Sequence, residues 1–297
     1  MSIARFIDPK NDFAFKQIFG TEKNKDILIH FLNDIIGYPD GQQITDVTFL
    51  ETAQDPEIAA YRQSIVDVLC KTQDNTQIII EMQVSKHKGF EQRAQYYAAR
   101  AYSQQLLEED GEHKKLDVYA KLKGVIFLAI ADFTMFPDKS EWVSTHQTRD
   151  IKSNDHDLRA FHFIFLELTK FKKAIDQLEN IQEKWAYFFK HAEHSTLDDI
   201  KHMIGTDIIM QRAFDAINKA GWTVDELRTY DHIAKANLDN QVIEEQKIED
   251  AKAEGKIEGK TEEKIEIAKK LIQLGISIQD ILSATSLTKK QVEELLK

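Results

Sequence analysis

A chain of 297 residues, 42% hydrophobic and 30% charged, reads as a soluble globular protein of one sizeable domain plus an appendage, or of two domains, and excludes a disordered chain. Its formal net charge of −11 argues against a protein that coats nucleic acid. No apolar run approaches the roughly 20 residues that cross a bilayer, and the opening MSIARFIDPKND lacks the apolar core of a signal peptide. The single cysteine, Cys70, excludes an internal disulfide and cysteine-rich zinc sites, so the expectation is a cytoplasmic protein without membrane contact.

In chain order, Asp8-Pro9 is a helix-start signal. Phe13, Phe15, Ile18 and Phe19 then predict a crowded apolar helix that ends at Gly20. Asp12 and Lys16 lie one turn apart on it and can pair on its surface. A second helix is predicted over 23–36, burying Ile27, Leu28, Phe31, Leu32 and Ile35. His30 on it has no partner histidine four residues away and reads as a surface or cap residue. Gly37, Pro39 and Gly41 mark a loop, and a strand is predicted over 44–51.

The most informative stretch is 64–86, SIVDVLCKTQDNTQIIIEMQVSK. It predicts two strands, 64–69 and 77–84, joined through Asp74-Asn75, a dipeptide that tolerates the left-handed backbone of a tight turn. Asp67, Glu81 and Gln83 are polar residues set into this apolar pair. Side chains alternate faces along a strand, so Glu81 and Gln83 point one way and Met82 the other. If Asp67 shares their face, two carboxylates and an amide converge. Paired carboxylates repel unless a cation lies between them, and a hard cation such as Mg²⁺ takes one or two carboxylates and keeps waters. The plain alternative is that all three line the wet face of an edge strand.

A long helix is predicted over 89–109, bearing Gln92, Arg93, Tyr96, Tyr97 and Arg100; it also reads as an ordinary amphipathic helix with half-buried tyrosines. Lys71, Lys86, Lys88, Arg93 and Arg100 form a modest basic neighbourhood around the hairpin, or a solvated face. The run KGVIFLAIA at 123–131 predicts a strand buried on both sides. Strands at 142–148 and 161–168 follow, then helices at 175–189 and 200–217. His191, His194 and His202 lie at polar helix ends without metal-ligand spacing. From 234 to 270 the chain is rich in Lys, Glu, Gln and Ala, with a near-repeat EGKIEGK; Glu254/Glu258 and Lys256/Lys260 are like-sign pairs, so a solvated helix that pairs with another copy is predicted. The last stretch, 268–296, reads as three short helices broken near Gly275, Ser277 and Thr288. This tail is helix-turn-helix-like, but Glu293 and Glu294 suit packing or self-association better than entry into a DNA groove. The expected division is a core of 1–170, a helical extension of 171–240, a charged helix or linker of 241–270 and a small helical tail of 271–297.

Asp67 in one strand, with Glu81-x-Gln83 in the next, resembles the signature of the PD-(D/E)XK nuclease superfamily, with Gln83 where lysine usually stands. FIDPKNDFAFKQIFG at 6–20, FEQRAQYYAARAYSQQL at 90–106 and FHFIFLELTKF at 161–171 are similar to elements of its branch of PD-(D/E)XK family transposases, or Rpn recombination-promoting nucleases. The resemblance implies an α/β fold, a restriction-endonuclease-like αβββαβ core with an α-helical C-terminal extension. It implies a DNA endonuclease dependent on Mg²⁺ or Mn²⁺, acting in recombination or against foreign DNA in a bacterium. The implied metal ligands are Asp67, Glu81 and the backbone carbonyl of Met82. Asp12 and Gln83 join Asp67 and Glu81 as catalytic candidates, and Lys16, Lys86, Gln92 and Arg93 are candidates for holding DNA. A neutral amide at Gln83 orients by hydrogen bonding only, so Lys16 or Lys71 is a candidate source of the missing charge. The rival reading is a non-catalytic module that keeps the fold and binds DNA or protein, its helical tail joining copies into a dimer or higher oligomer.

Overall fold

A computed structural model describes residues 5–52, 66–106 and 118–295. Six strands form one mixed sheet: β1 (Val47–Phe49), β2 (Val68–Thr72), β3 (Gln77–Gln83), β4 (Val125–Ala131), β5 (Val143–Gln147) and β6 (Phe161–Glu167), in the order β1-β2-β3-β4-β6-β5. β1, β2 and β3 are an antiparallel meander, β3, β4 and β6 run parallel, and β5 closes the far edge antiparallel to β6. Every residue of the central strand β4 is buried, as its unbroken apolar run predicts. The α/β class, the order of the nuclease core and the C-terminal helical extension are as the sequence implies.

The sheet is covered on both faces. Ile78, Ile80 and Met82 of β3, with Ile126, Leu128 and Ile130 of β4, face a large core filled by α1 (Asp12–Phe19), α2 (Lys25–Ile36), α4 (Ile181–His191), α5 (Leu197–Ile204) and α6 (Ile208–Ala216). Phe19, Phe31, Trp185 and Phe189 pack ring against ring at its centre. The helices over 181–216 therefore share the core of the sheet. Ile79, Phe127, Ala129 and Phe165 face the other way, against Phe90, Ala94, Tyr97, Ala98 and Ala101 of α3 (Phe90–Gln104). Cys70 faces the large core, fully buried, and burial pushes its thiol up to about 12.

Several boundaries differ from the sequence expectation for local reasons. The first helix starts four residues after Asp8, because Asn11 takes the cap: its Oδ1 accepts from the backbone N–H of Phe13 and Ala14 at 3.0 and 3.3 Å. Asp8 instead accepts from the N–H of Lys10 at 3.0 Å in the turn before it. Asn11→Ala is expected to cost about 1 kcal/mol, read as a lower urea midpoint with an unchanged slope. The strand expected over 44–51 forms only over Val47–Phe49. The first hairpin strand spans Val68–Thr72 rather than 64–69; Ser64 and Ile65 lie outside the described residues. The turn is as expected: Asn75 adopts φ 66°, and Asp74 hydrogen-bonds to Thr72 and Thr76. The helix expected over 89–109 is described to Gln104 in α form, and 107–109 lie outside the described residues. The helix expected over 200–217 is two helices, since Gly205 adopts φ +55° and Asp207 caps the next start. Likewise the one expected over 175–189 is a short 3₁₀ turn, Ile175–Gln177, followed by α4.

The described chain forms two compact units that divide between Ile233 and Ala234. The second holds the helix α7 (Val224–Gln273) from Ala234 on, a break at Gly275, α8 (Ile278–Thr285) and α9 (Lys289–Glu294). Ser277 and Thr288 cap the last two, and Ala268, Ile281, Leu287 and Val292 bury a small core of their own.

Candidate active site

The hairpin register builds the site. Val68 lies opposite Ile80, so one step further along the antiparallel pair Asp67 stands opposite Glu81. Opposed residues share a face, and this face is the one that α3 covers. Asp67 precedes β2 at a bend, and its Oδ2 accepts from the N–H of Met82 at 2.9 Å. The Met82 side chain is buried in the opposite core. In an extended strand the N–H and C=O of one residue point to the same side, so the Met82 carbonyl also faces the Asp67 side of β3.

Glu81 is 3% exposed. Its Oε2 accepts from Gln83 Nε2 at 3.0 Å, while its Oε1 is buried without a hydrogen-bond partner. Gln83 Oε1 in turn accepts from a guanidinium N–H of Arg93 at 2.7 Å. Burial pushes the Glu81 carboxyl up to about 8; the charge of Asp67 adds to this, and Arg93 and Lys16 oppose it. A buried carboxylate oxygen without a donor, beside a second carboxylate, is chemically incomplete. These are the donors a hard divalent cation takes, so the residues present fit one. Among the described residues no set of three or more His, Cys, Asp and Glu side chains forms a metal cage.

Helix α1 brings two more charges. Lys16 Nζ lies 3.3 Å from Asp67 Oδ1. Asp12, one turn earlier, has its carboxyl raised by desolvation and then by the negative charge of Asp67, with Lys16 opposing. Asp12, Lys16, Asp67, Glu81, Gln83 and Arg93 thus meet, although they come from three separate stretches of chain. Lys16, named above as a candidate for DNA, is engaged with Asp67.

The remaining candidates lie elsewhere. Lys86, on the loop after β3, reaches the carbonyl of Thr134 at 3.4 Å, and Gln92 is exposed on α3. Lys71 sits four residues along the strand direction from Asp67, about 13 Å away. It lines a recess of about 520 Å³ with Gln77, Lys121 and Lys123 at the other end of the strands, so it does not supply charge to Glu81. Sequence reasoning missed Asp132, whose N–H donates to the carbonyl of Gln83 at 2.9 Å and whose carboxylate holds Lys10 at 2.7 Å. The available signal was an acid directly after the buried run of β4. It also missed Glu167, fully buried at the end of β6, with its Oε1 accepting from the N–H of Met135 and Phe136.

An acidic pair at the end of a β-hairpin, set in a mixed sheet with a helix lying over the pair, is the arrangement of a nuclease-like domain. The PD-(D/E)XK nuclease family transposases match residues 9–247, and the chain belongs to that family. No curated protein and no solved structure matches it. Among the described residues no helix is long and apolar enough to cross a membrane.

Proposed function

We propose that the protein is a Mg²⁺- or Mn²⁺-dependent DNA endonuclease whose active site is Asp67, Glu81 and Gln83, assisted by Asp12 and Lys16. The observation that carries this reading is the buried, unpartnered Oε1 of Glu81 beside Asp67. Asp67, Glu81 and the carbonyl of Met82 would hold the cation. When bound, it supplies Lewis acidity toward a phosphodiester oxygen and acidifies water. Lys16 neutralises Asp67 from the helix side and lowers the repulsion that two carboxylates impose. Gln83 fixes the Glu81 carboxylate by a hydrogen bond to Oε2, leaving Oε1 to face a ligand. Asp12 keeps a carboxyl with a raised proton affinity one helical turn from Lys16, suited to exchanging a proton during the reaction.

Supercoiled plasmid tests this. Nicking is expected with Mg²⁺, and is expected to vanish with EDTA and to fall by roughly 10²–10³-fold or more in Asp67→Ala. Equal nicking by Asp67→Ala would overturn the assignment, and a protein that binds DNA without cutting it would be the non-catalytic module instead. Residues 234–297 are proposed to join copies of the chain. Leu238, Val242 and Ile257 are 59%, 57% and 66% exposed on α7, apolar side chains that a partner helix can cover. Sedimentation velocity is expected to give a mass above 34.3 kDa for the full chain. A monomer at all concentrations would refute that.

A further inference from the structure

We propose that Arg93 is a positioning residue for this reaction: acting through Gln83, it sets the direction of the amide and lends positive charge to the donor that faces Glu81. The inference rests on the nuclease reading above and adds to it the source of the charge that a neutral glutamine lacks.

The argument begins with donor chemistry. A guanidinium donates only, so the Gln83 atom 2.7 Å from Arg93 must be the amide oxygen. The amide orientation is thereby fixed, and its NH₂ is turned to Glu81 Oε2 at 3.0 Å. A carboxamide held between a guanidinium and a carboxylate that a bound cation keeps ionised is polarised along that line, with its N–H groups made better donors. The NH₂ has two hydrogens, and Glu81 Oε2 takes one. The second is left as a donor, and developing negative charge beside Glu81 would call for one.

Arg93 is itself built in rather than left to follow a ligand. Its guanidinium carbon lies 4.9 Å from the Phe90 ring centre and 5.9 Å from that of Tyr97, and its Nε is buried without a hydrogen-bond partner. Gly89, at φ +82°, is the cap before α3, and the N–H of Arg93 closes on its carbonyl at 3.0 Å. The first helical turn therefore delivers the guanidinium to Gln83. A residue that served only to bind a DNA phosphate would gain nothing from this contact with an internal amide.

The test is a double-mutant cycle in the full-length chain, read by Mg²⁺-dependent plasmid nicking and by thermal unfolding. Arg93→Gln is expected to lower the nicking rate about 10- to 100-fold, as loss of a partner that orients a metal-site side chain does. Gln83→Lys alone is expected to be impaired and to unfold at a lower temperature, because an ammonium then faces the guanidinium. The double variant Gln83→Lys/Arg93→Gln is expected to recover nicking to within a few-fold of the parent and to recover the lost unfolding temperature. A merely structural role for Arg93 restores the unfolding temperature of the double variant without restoring nicking. A double variant no more active than the weaker single variant overturns the relay while leaving the nuclease reading intact. So does a drop of about one in the salt slope of DNA binding for Arg93→Gln, the mark of a direct phosphate contact. An inactive parent protein sinks the nuclease reading and the relay together.

Discussion

Glu81→Gln is expected to make the metal-free protein more stable at pH 8 and to abolish nicking. In the folded chain the Glu81 carboxyl is raised from 4.5 to about 8, first by burial and then by Asp67. A carboxyl raised on folding holds its proton in the folded state and releases it in the unfolded state throughout that window. The folded state binds more protons, so stability is greatest below 4.5 and falls as pH rises toward about 8. A tenfold change in proton affinity is worth about 1.4 kcal/mol, which puts the whole loss on the order of a few kcal/mol. Glutamine carries no charge, so the variant's unfolding temperature should lack this part of the pH slope. Mg²⁺ at pH 8 should raise the unfolding temperature of the parent and not that of the variant. Differential scanning fluorimetry over this range reads all three effects. Identical slopes for parent and variant would mean that Glu81 is not the buried acid described here.

Glu167→Ala is expected to destabilise the fold by roughly 3–5 kcal/mol, the cost of breaking a buried ion pair from one side. The carboxylate is fully buried, accepts from the N–H of Met135 at 2.6 Å and of Phe136 at 3.0 Å, and pairs with Lys170 at 2.7 Å. Lys170 also donates to the carbonyl of Phe136 at 2.7 Å. One side chain thus ties the end of β6 to the segment that follows β4, the segment where Asp132 meets the Gln83 main chain. Truncation leaves two amides without an acceptor and an ammonium with only the Phe136 carbonyl. Urea unfolding measures the loss, and Glu167→Ala/Lys170→Met should cost less than the two single changes summed. A loss below about 1 kcal/mol would show that water replaces the carboxylate without penalty.

The hairpin was legible because its signals are local. Period-two alternation assigns Glu81 and Gln83 to one face and Asp74-Asn75 marks the turn, whereas the face of Asp67 is open in the sequence and follows from the register of the folded hairpin. The all-buried β4 was legible from its composition alone. The partners of these residues were harder to read, because they are set by tertiary approach. Lys16 and Lys71 are equally plausible from the sequence as neighbours of Asp67, and only the packing of α1 over the strand ends separates them. Arg93 reads as a basic residue on a helix, and nothing local says that it turns inward to an amide ten residues earlier. Helix starts were misjudged where two candidate caps compete, as at Asp8 and Asn11, since backbone geometry decides which one accepts. Glu167 reads as part of an apolar strand motif; the amides it accepts from lie in a loop 31 and 32 residues away.

The lone thiol of Cys70 offers a chemical clock for global opening. It lies in the middle of β2, fully buried, and burial holds it almost entirely as the unreactive thiol at neutral pH. Alkylating reagents should therefore consume it only when the hairpin that carries Asp67 and Glu81 comes apart, at a rate that tracks unfolding of the sheet. A second cysteine placed on the surface could then carry a fluorophore or spin label in otherwise native protein, with no background from the resident sulfur.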